Sequence, residues 1–525
     1  MSLSDKLVLL NNEKLSLKTG FEGLGFDMAS TPFTSYHTLI RDLLTGLVGD
    51  YYVSSVWGKD SNDGLSPLSP FLTLSKAVTS ASKGQSIVVM SGVYKGVDNC
   101  DFKISKSVTI IGEPSTFFDG ETVRRSGWTM NYPNSMTVKG LSFINGNSNG
   151  GNSGAIDSYT TGNTLIDCSF INNIGSQGGA VYLRSFNASN CSFINNSAKY
   201  GGAIYLNGDS SIISDCSFIN NSSNMDGGAV YNRGKSNSVK NNNFTNNLSN
   251  RHGGAVYNMS LGTVTNCTFT GNNAVSTGGA VYNHMGNTIS NSTFTSNISN
   301  GDGGGVYNYG ASAGYDGNTI SSCTFTDNTS KSNGGGIYNK YTGNIINDST
   351  FTGNSATSLG GTIYNCGANT LNNNDLLTLI GSYIYNELTG TVIDNTYWNT
   401  STPTSTDYYS TLNDCIPTNN RSSPNHPERL KTSTLTLSVD NTSISSGSNL
   451  VLTGTLKDLN GDIISNANVN FYKDDTLIGT SKTDTSGLAS FTYTTTSTGT
   501  CVFKADYEAK SYIGSTSQNI TVTVT

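Results

Sequence analysis

Thr277 to Asn283 reads "TGGAVYN", and close copies of this stretch return along half of the chain. Aligned on its tyrosine, the motif recurs at Tyr182, Tyr205, Tyr231, Tyr257, Tyr282, Tyr307, Tyr338 and Tyr364, mostly in steps of 23 to 26 residues with one of 31. A second element, C/S/N-x-F-x-x-N, accompanies each copy, with its phenylalanines at Phe170, Phe193, Phe218, Phe244, Phe269, Phe294, Phe325 and Phe351. Both elements are short, rich in β-branched and aromatic residues, and bounded by Gly and Asn, which is a strand-and-turn signature. A coil of about 25 residues made only of short strands cannot bury its own apolar side, so it must stack on copies of itself. The expected fold class is all-β, with a right-handed parallel β-helix as its main body.

Stacked coils lie roughly 4.8 Å apart, so equivalent residues form ladders. Val181, Val230, Val256, Val281 and Val306 with Ile204, Ile337 and Ile363 are expected to point inward, as are the phenylalanines. Two residues before each Phe stand Cys168, Cys191, Cys216, Cys267 and Cys323, replaced elsewhere by Asn242, Ser292 and Ser349. With no CxxC pair, this row reads as small buried thiols rather than metal ligands. Three residues after each Phe comes an asparagine, from Asn173 to Asn354, expected to take left-handed backbone angles and to hydrogen-bond the next coil. The paired glycines, such as Gly278 and Gly279, suit a sharp corner. The repeated motif is therefore read as scaffold.

Only 12% of the 525 residues are charged, against about 25% in ordinary soluble domains. Asn, Ser, Thr and Gly fill the gap, a composition that suits an extracellular or virion surface. The formal charge of −7 speaks against nucleic acid, and against polyanions generally, because a phosphate-binding surface needs excess Lys and Arg. Nine cysteines are sparse and odd in number for a disulfide framework. No apolar run reaches the eighteen residues of a membrane span, so no membrane insertion is expected. "MSLSDKLVLLNNEKL" has too short an apolar core for a signal peptide.

Upstream of the repeats, Tyr51 to Gly96 contains an initial strand, then Asp60-x-Asn62-Asp63-Gly64, a short amphipathic helix around Phe71 to Ala81, and Gly-x-x-Ile-x-Val. This order resembles the opening of pectin-lyase-like β-helix domains, and the resemblance implies a helix that plugs the end of the core. Together with the coils, the chain resembles adhesin-like surface proteins of methanogenic archaea. From Leu435 to Thr525, the strands "LTLSVD", "NLVLTGTLKD", "NVNFYKDDTLIGT", "ASFTYTTT" and "TCVFKADY", with turns at Asn460-Gly461 and Ser486-Gly487, describe a β-sandwich. This region is similar to bacterial immunoglobulin-like repeats. The first fifty residues, with "TPFTSY" at Thr31 to Tyr36, resemble the short helical segment near the N-terminus of phage tail-fibre proteins. The expected domains are a helical tail-attachment segment over 1–50, the capped β-helix over 51–415, a linker over 416–434 and an Ig-like sandwich over 435–525.

Many pectin-lyase-like folds cut polysaccharides. Hydrolases need two carboxylates roughly 5 to 10 Å apart, and the acids of the repeats are mostly isolated. Asp226 and Asp302 share a row but stand three coils apart, about 14 Å. His252 and His284 fall in neighbouring coils at different rows, which makes a poor metal site, with solvent-exposed side chains as the plainer reading. No catalytic, cofactor or metal residue is assigned, and no enzyme activity is expected.

Two rows vary instead. Before each Gly pair come Gln177, Tyr200, Asp226, His252, Thr277, Asp302, Asn333 and Leu359, and two residues after each Tyr come Arg184, Asn207, Arg233, Met259, His284, Tyr309, Lys340 and Cys366. Strand alternation turns these rows toward solvent. Arg184, Tyr200, Asp226, Arg233, His252, His284, Tyr309 and Lys340 are the candidate surface-binding residues. The reading is a viral tail-fibre adhesin that binds a glycan or protein of a methanogen-like host, contacts other virion tail proteins through its N-terminus, and forms a homotrimer. A polysaccharide-depolymerising tailspike and a host cell-surface adhesin are the alternatives.

Overall fold

The computed structural model describes residues 47–130, 134–310, 316–376, 384–387, 391–394, 397–398, 408–410, 421–422, 433–458, 463–507 and 515–525. The expected tail-attachment helices before residue 47, most of the linker and the Asn460-Gly461 turn lie outside these residues. The chain divides into two compact units, Met1–Ser423 and Pro424–Thr525.

The first unit is a parallel β-solenoid. Strands Tyr51–Val53, Ser86–Val89, Val108–Gly112 and Met136–Lys139 pair in succession, and the regular repeats continue the ladder with every motif in register. Val256 pairs Val281, Tyr257 pairs Tyr282 and Asn258 pairs Asn283, while Phe244 pairs Phe269 on a second sheet. Two-residue strands from Ser197–Ala198 to Ser355–Ala356 form a third. Between Tyr307 and Tyr338, where the step is 31, pairing still holds without a shift.

The expected valine, isoleucine and phenylalanine rows are inside, each fully buried. From Phe143 to Phe351 the rings stack with centroids 4.6 to 5.0 Å apart. This spacing is the strand spacing itself, so ring contact and backbone pairing reinforce each other.

The asparagine row is an interior ladder, but its backbone differs from expectation. The left-handed residue is one position earlier, at Asn172, Asn195, Asn220 and Asn246, with φ of 54° to 58°. The ladder asparagines themselves use their amides. Asn247 Nδ2 donates to Phe218 O at 3.0 Å and to Asn272 Oδ1 at 2.9 Å, and Asn272 Oδ1 also accepts from Asn247 N. Each side chain thus satisfies backbone groups that the corner would leave buried and unpaired. A second ladder, Asn232 through Asn258, Asn283, Asn308, Asn339 and Asn365 to Asn386, runs beside the tyrosines.

The cysteine row does more than fill space. Cys191 N donates to Cys216 Sγ, Cys216 N to Asn242 Oδ1 and Cys267 N to Ser292 Oγ. What the position requires is a small acceptor, which explains why Cys, Asn and Ser interchange there. All five repeat cysteines are free and buried, and burial pushes the Cys323 thiol up to about 12.

At the second glycine of each pair the coils approach closely. A Cβ on Gly254 would lie 2.0 Å from Gly279 O, and Gly253 before it has a φ of +65°. At the N-terminal end, the helix Leu74–Ser80 buries Leu74, Ala77 and Val78 against the solenoid core. Asp60 holds its start, accepting from Leu72 N and Thr73 N, and Asn62 Nδ2 donates to Pro70 O. The Asp60–Gly64 loop is thus the brace of the capping helix. Among the described residues, no helix is long and apolar enough to cross a membrane.

The second unit packs two sheets. Ser433–Val439, Asn449–Asp458 and Leu488–Thr494 form one. Asn468–Lys473, Thr476–Lys482, Gly499–Tyr507 and Ile520–Val524 form the other. Leu450, Leu452, Val469, Phe471, Phe503 and Val522 fill the space between them. "NVNFYKDDTLIGT", which reads as one stretch in sequence, is a hairpin. Asp474 and Asp475 take φ of 46° and 62°, the left-handed pair of a tight hairpin turn.

Candidate functional site

Because Val181 and its equivalents point inward, alternation sends the next residue of each motif outward. The tyrosines, read from sequence as part of the scaffold, therefore lie on the outer face of their sheet, where they form an apolar cluster separate from the core. From Tyr182 to Tyr385 nine rings stack with centroids 4.7 to 5.4 Å apart. Their faces are covered by one another and their edges by the two variable rows. Although they point outward, Tyr282 and Tyr307 are each only 7% exposed. What this strip presents along the solenoid is a regular comb of hydroxyls.

Burial raises the tyrosine pKa values together. Tyr182 is pushed up to about 12, with the neighbouring Tyr159 and Tyr205 adding to the effect of burial, and Tyr231, Tyr257 and Tyr282 are pushed higher. The hydroxyls stay protonated at any physiological pH and so keep a proton to donate.

The candidate binding residues border this comb on both sides. On one side Tyr200 meets Tyr231 edge-on at 5.4 Å, and His252 lies 4.9 Å from Tyr282 while its Nδ1 is 2.7 Å from Thr277 Oγ1. On the other side His284 stacks on Tyr309 at 4.6 Å. Both histidines are half-buried, not solvent-exposed, and desolvation lowers their pKa. Lys340 is half-buried, whereas Arg184 and Arg233 are exposed. Arg233 Nη1 donates to Asn207 Oδ1 at 3.1 Å, and Asn207 Nδ2 donates to Tyr182 Oη at 2.5 Å.

Asp226 does not face solvent as its row suggested. It is 1% exposed and is gripped by Arg251 through Nε at 2.7 Å and through Nη2. A charge fully withdrawn from water needs such a partner, and the arginine next in line in the following coil supplies it. Asp226 is therefore a wall element that orients Arg251.

The structure also brings together acids that the repeats do not foretell. Asp157 pairs in register with Tyr182, so a carboxylate occupies the tyrosine row at the head of the strip. Arg125 Nη2 is 3.6 Å from Asp157 Oδ2 and its Nη1 is 2.6 Å from Asp101 Oδ1. Two carboxylates thus share one guanidinium. Burial, opposed by Arg125, raises the pKa of Asp157 to about 6. Asp157 Oδ1 and Ser153 Oγ are buried without a hydrogen-bond partner among the described residues. The acids come from coils of irregular length, so no repeat spacing marks them in the sequence. Tyr159, 46% exposed, leans against Tyr182 beside them.

At the far end of the comb, Cys366 Sγ and Tyr364 Oη both donate to Glu387 Oε2, at 2.7 and 3.1 Å. Among the described residues, no three His, Cys, Asp or Glu side chains converge as metal ligands do.

Residues 202–376 match the model of the right-handed beta helix region, and residues 437–525 match that of the bacterial Ig-like domain, group 3. Residues 190–207 match the Chlamydia polymorphic membrane protein repeat. A comparison with curated proteins gives no significant match. Among solved structures, the chain is similar to a tailspike protein mutant of E. coli bacteriophage HK620 at 10% identity, over 84% of this chain and 86% of that one, with a TM-score of 0.31. A CARDB domain from Pyrococcus furiosus, in complex with di-metal ions, matches at 16% identity over 19% and 94%, with a TM-score of 0.16. The D00-D0 domain of intimin matches at 21% identity, with a TM-score of 0.16, over 20% of this chain and about half of its own length, 52%. The chain is a right-handed parallel β-helix followed by a bacterial Ig-like domain.

Proposed function

We propose that this chain is an attachment protein that holds a surface glycan along the tyrosine comb. The observation that carries this reading is the outward stack from Tyr182 to Tyr385, which sets hydroxyl donors at one-coil intervals between two walls of variable polar and aromatic side chains. A sugar chain offers hydroxyls at regular intervals along its length, and a row of fixed donors meets them with little loss of side-chain freedom. The constant residues set the spacing, and the variable rows adjust which sugars fit.

In its finer form the proposal is a virion tail adhesin that recognises the surface of a methanogen-like host. Residues 1–50 would join it to other tail proteins, the β-helix over 51–415 would bind, and the linker over 416–434 would carry the Ig-like unit over 435–525 as a second contact. Association as a homotrimer belongs to the same reading. The match to a Chlamydia polymorphic membrane protein repeat and to a bacterial Ig-like domain supports the neighbouring reading of a cell-surface adhesin. Presence of the chain in purified virus particles, or its absence from them, separates the two.

One observation favours an enzymatic reading. Asp101 and Asp157, on one guanidinium at the head of the comb, have the composition of a glycosidase acid pair, in which a carboxyl of raised pKa donates the proton. Incubation of the purified protein with isolated envelopes of methanogenic archaea tests both readings. Retained protein without released carbohydrate is the expected result. Carbohydrate release that Asp157→Asn abolishes would replace the attachment reading with a depolymerase.

A further inference from the structure

The chain as a whole is acidic, at −7, yet two exposed arginines stand beside the comb. The acids near it have partners of their own, Asp157 at its head sharing Arg125. Asp226 is held by Arg251, Asp302 accepts from Asn333 N and Nδ2 at 3.1 and 3.0 Å, and Glu387 accepts from Cys366 and Tyr364. Arg184 and Arg233 are exposed and, among the described residues, neither has a carboxylate partner.

These two arginines share one row. Leu183, just before Arg184, pairs with Leu206, and Leu206 pairs with Asn232, just before Arg233. Arg184 and Arg233 are therefore two coils apart, roughly 10 Å, with Asn207 between them. Asn207 links the arginine row to the comb, accepting from Arg233 and donating to Tyr182 Oη. A guanidinium presents a planar fork that suits a carboxylate or sulfate better than a hydroxyl.

We infer that the comb selects an acidic glycan, one bearing an anionic group on about every second sugar, with Arg184 and Arg233 as the residues that read the charge. The inference rests on the proposed glycan reading and names the ligand class within it. It also modifies the expectation drawn from net charge. Duplex DNA carries roughly one charge per 1.7 Å, which two cations about 10 Å apart do not match, whereas a sparsely charged polysaccharide does.

Hyaluronan, with a carboxylate on every second sugar, is a suitable probe, and its carboxyl-reduced form is the neutral control of identical backbone. Binding of both polymers, and of polyglutamate, to the full chain and to the Arg184→Gln/Arg233→Gln variant is measured by titration calorimetry. The expected result is that hyaluronan binds, and that carboxyl reduction or the double substitution weakens it by about fivefold per arginine, with the thermal melt unchanged. Equal binding of the charged and neutral polymers would overturn the acid preference and leave the glycan reading standing. Binding of neither polymer would overturn both, and polyglutamate bound as tightly as hyaluronan would point to an acidic protein partner instead.

Discussion

The phenylalanine and tyrosine stacks of the solenoid have the same period and almost the same ring spacing, and they differ by which side of their strand they leave. Phe269 sits between Phe244 and Phe294 at 4.8 Å on either side and is wholly buried. Tyr257 sits between Tyr231 and Tyr282 at 4.9 Å on either side, but on the outer face, with its edge toward the variable rows. The inner stack is closed to ligands and is free only to stabilise. The outer stack has the same regularity with a hydroxyl on each ring, so repetition that builds a core on one face builds a recognition surface on the other.

Four substitutions probe this difference. Phe269→Ala opens a cavity in the middle of the inner stack and is expected to cost about 3–5 kcal/mol, measured by chemical denaturation. A much smaller loss would mean that neighbouring coils collapse onto the gap. Asn272→Ala removes the acceptor of Asn247 N and the donor to Phe244 O. Two buried backbone groups are left unpaired, for an expected cost of about 3 kcal/mol, and hydrogen exchange at the Asn247 amide should accelerate with it.

Asp157→Asn acts through pH. The folded pKa of Asp157, about 6, lies above the 3.8 of a free aspartate, so its contribution to stability is present below about pH 4 and lost as pH rises through 6. Asparagine keeps the neutral form. The variant should match the parent near pH 4 and exceed it at pH 8 by on the order of 2 kcal/mol. A variant less stable at pH 8 would show that attraction to Arg125 outweighs burial. Tyr257→Ala has the smallest expected effect on folding, about 2 kcal/mol from two lost ring contacts, together with a clear loss of envelope retention. If Tyr257→Ala and Phe269→Ala reduced retention only in proportion to stability, the outer stack would be scaffold as well.

The match between sequence and structure is closest where the chain repeats. Spacing alone places Val256 and Phe269 inside and reads Asn272 as a hydrogen-bonding row, because a ladder needs only that equal residues recur at equal intervals. The left-handed corner lies one residue earlier than the sequence suggests, since Asn246 and Asn247 are chemically identical and only the closed coil shows which of them turns the chain. Asp226 differs from its sequence reading for a related reason: Arg251, its partner, lies in the next coil and belongs to neither repeated element.

Alternation of apolar and polar residues has a period of two and is a property of a single strand, so composition and repeat by themselves determined the β-helix, its inward rows and the Ig-like strands. Only the tertiary structure decided that the tyrosines form a walled comb, that Asp101 and Asp157 share Arg125, and that Arg184 and Arg233 stand in one exposed row beside it. Those relations join residues 21 to 56 positions apart across coils of unequal length, and no local period encodes a contact that exists only once the solenoid has closed.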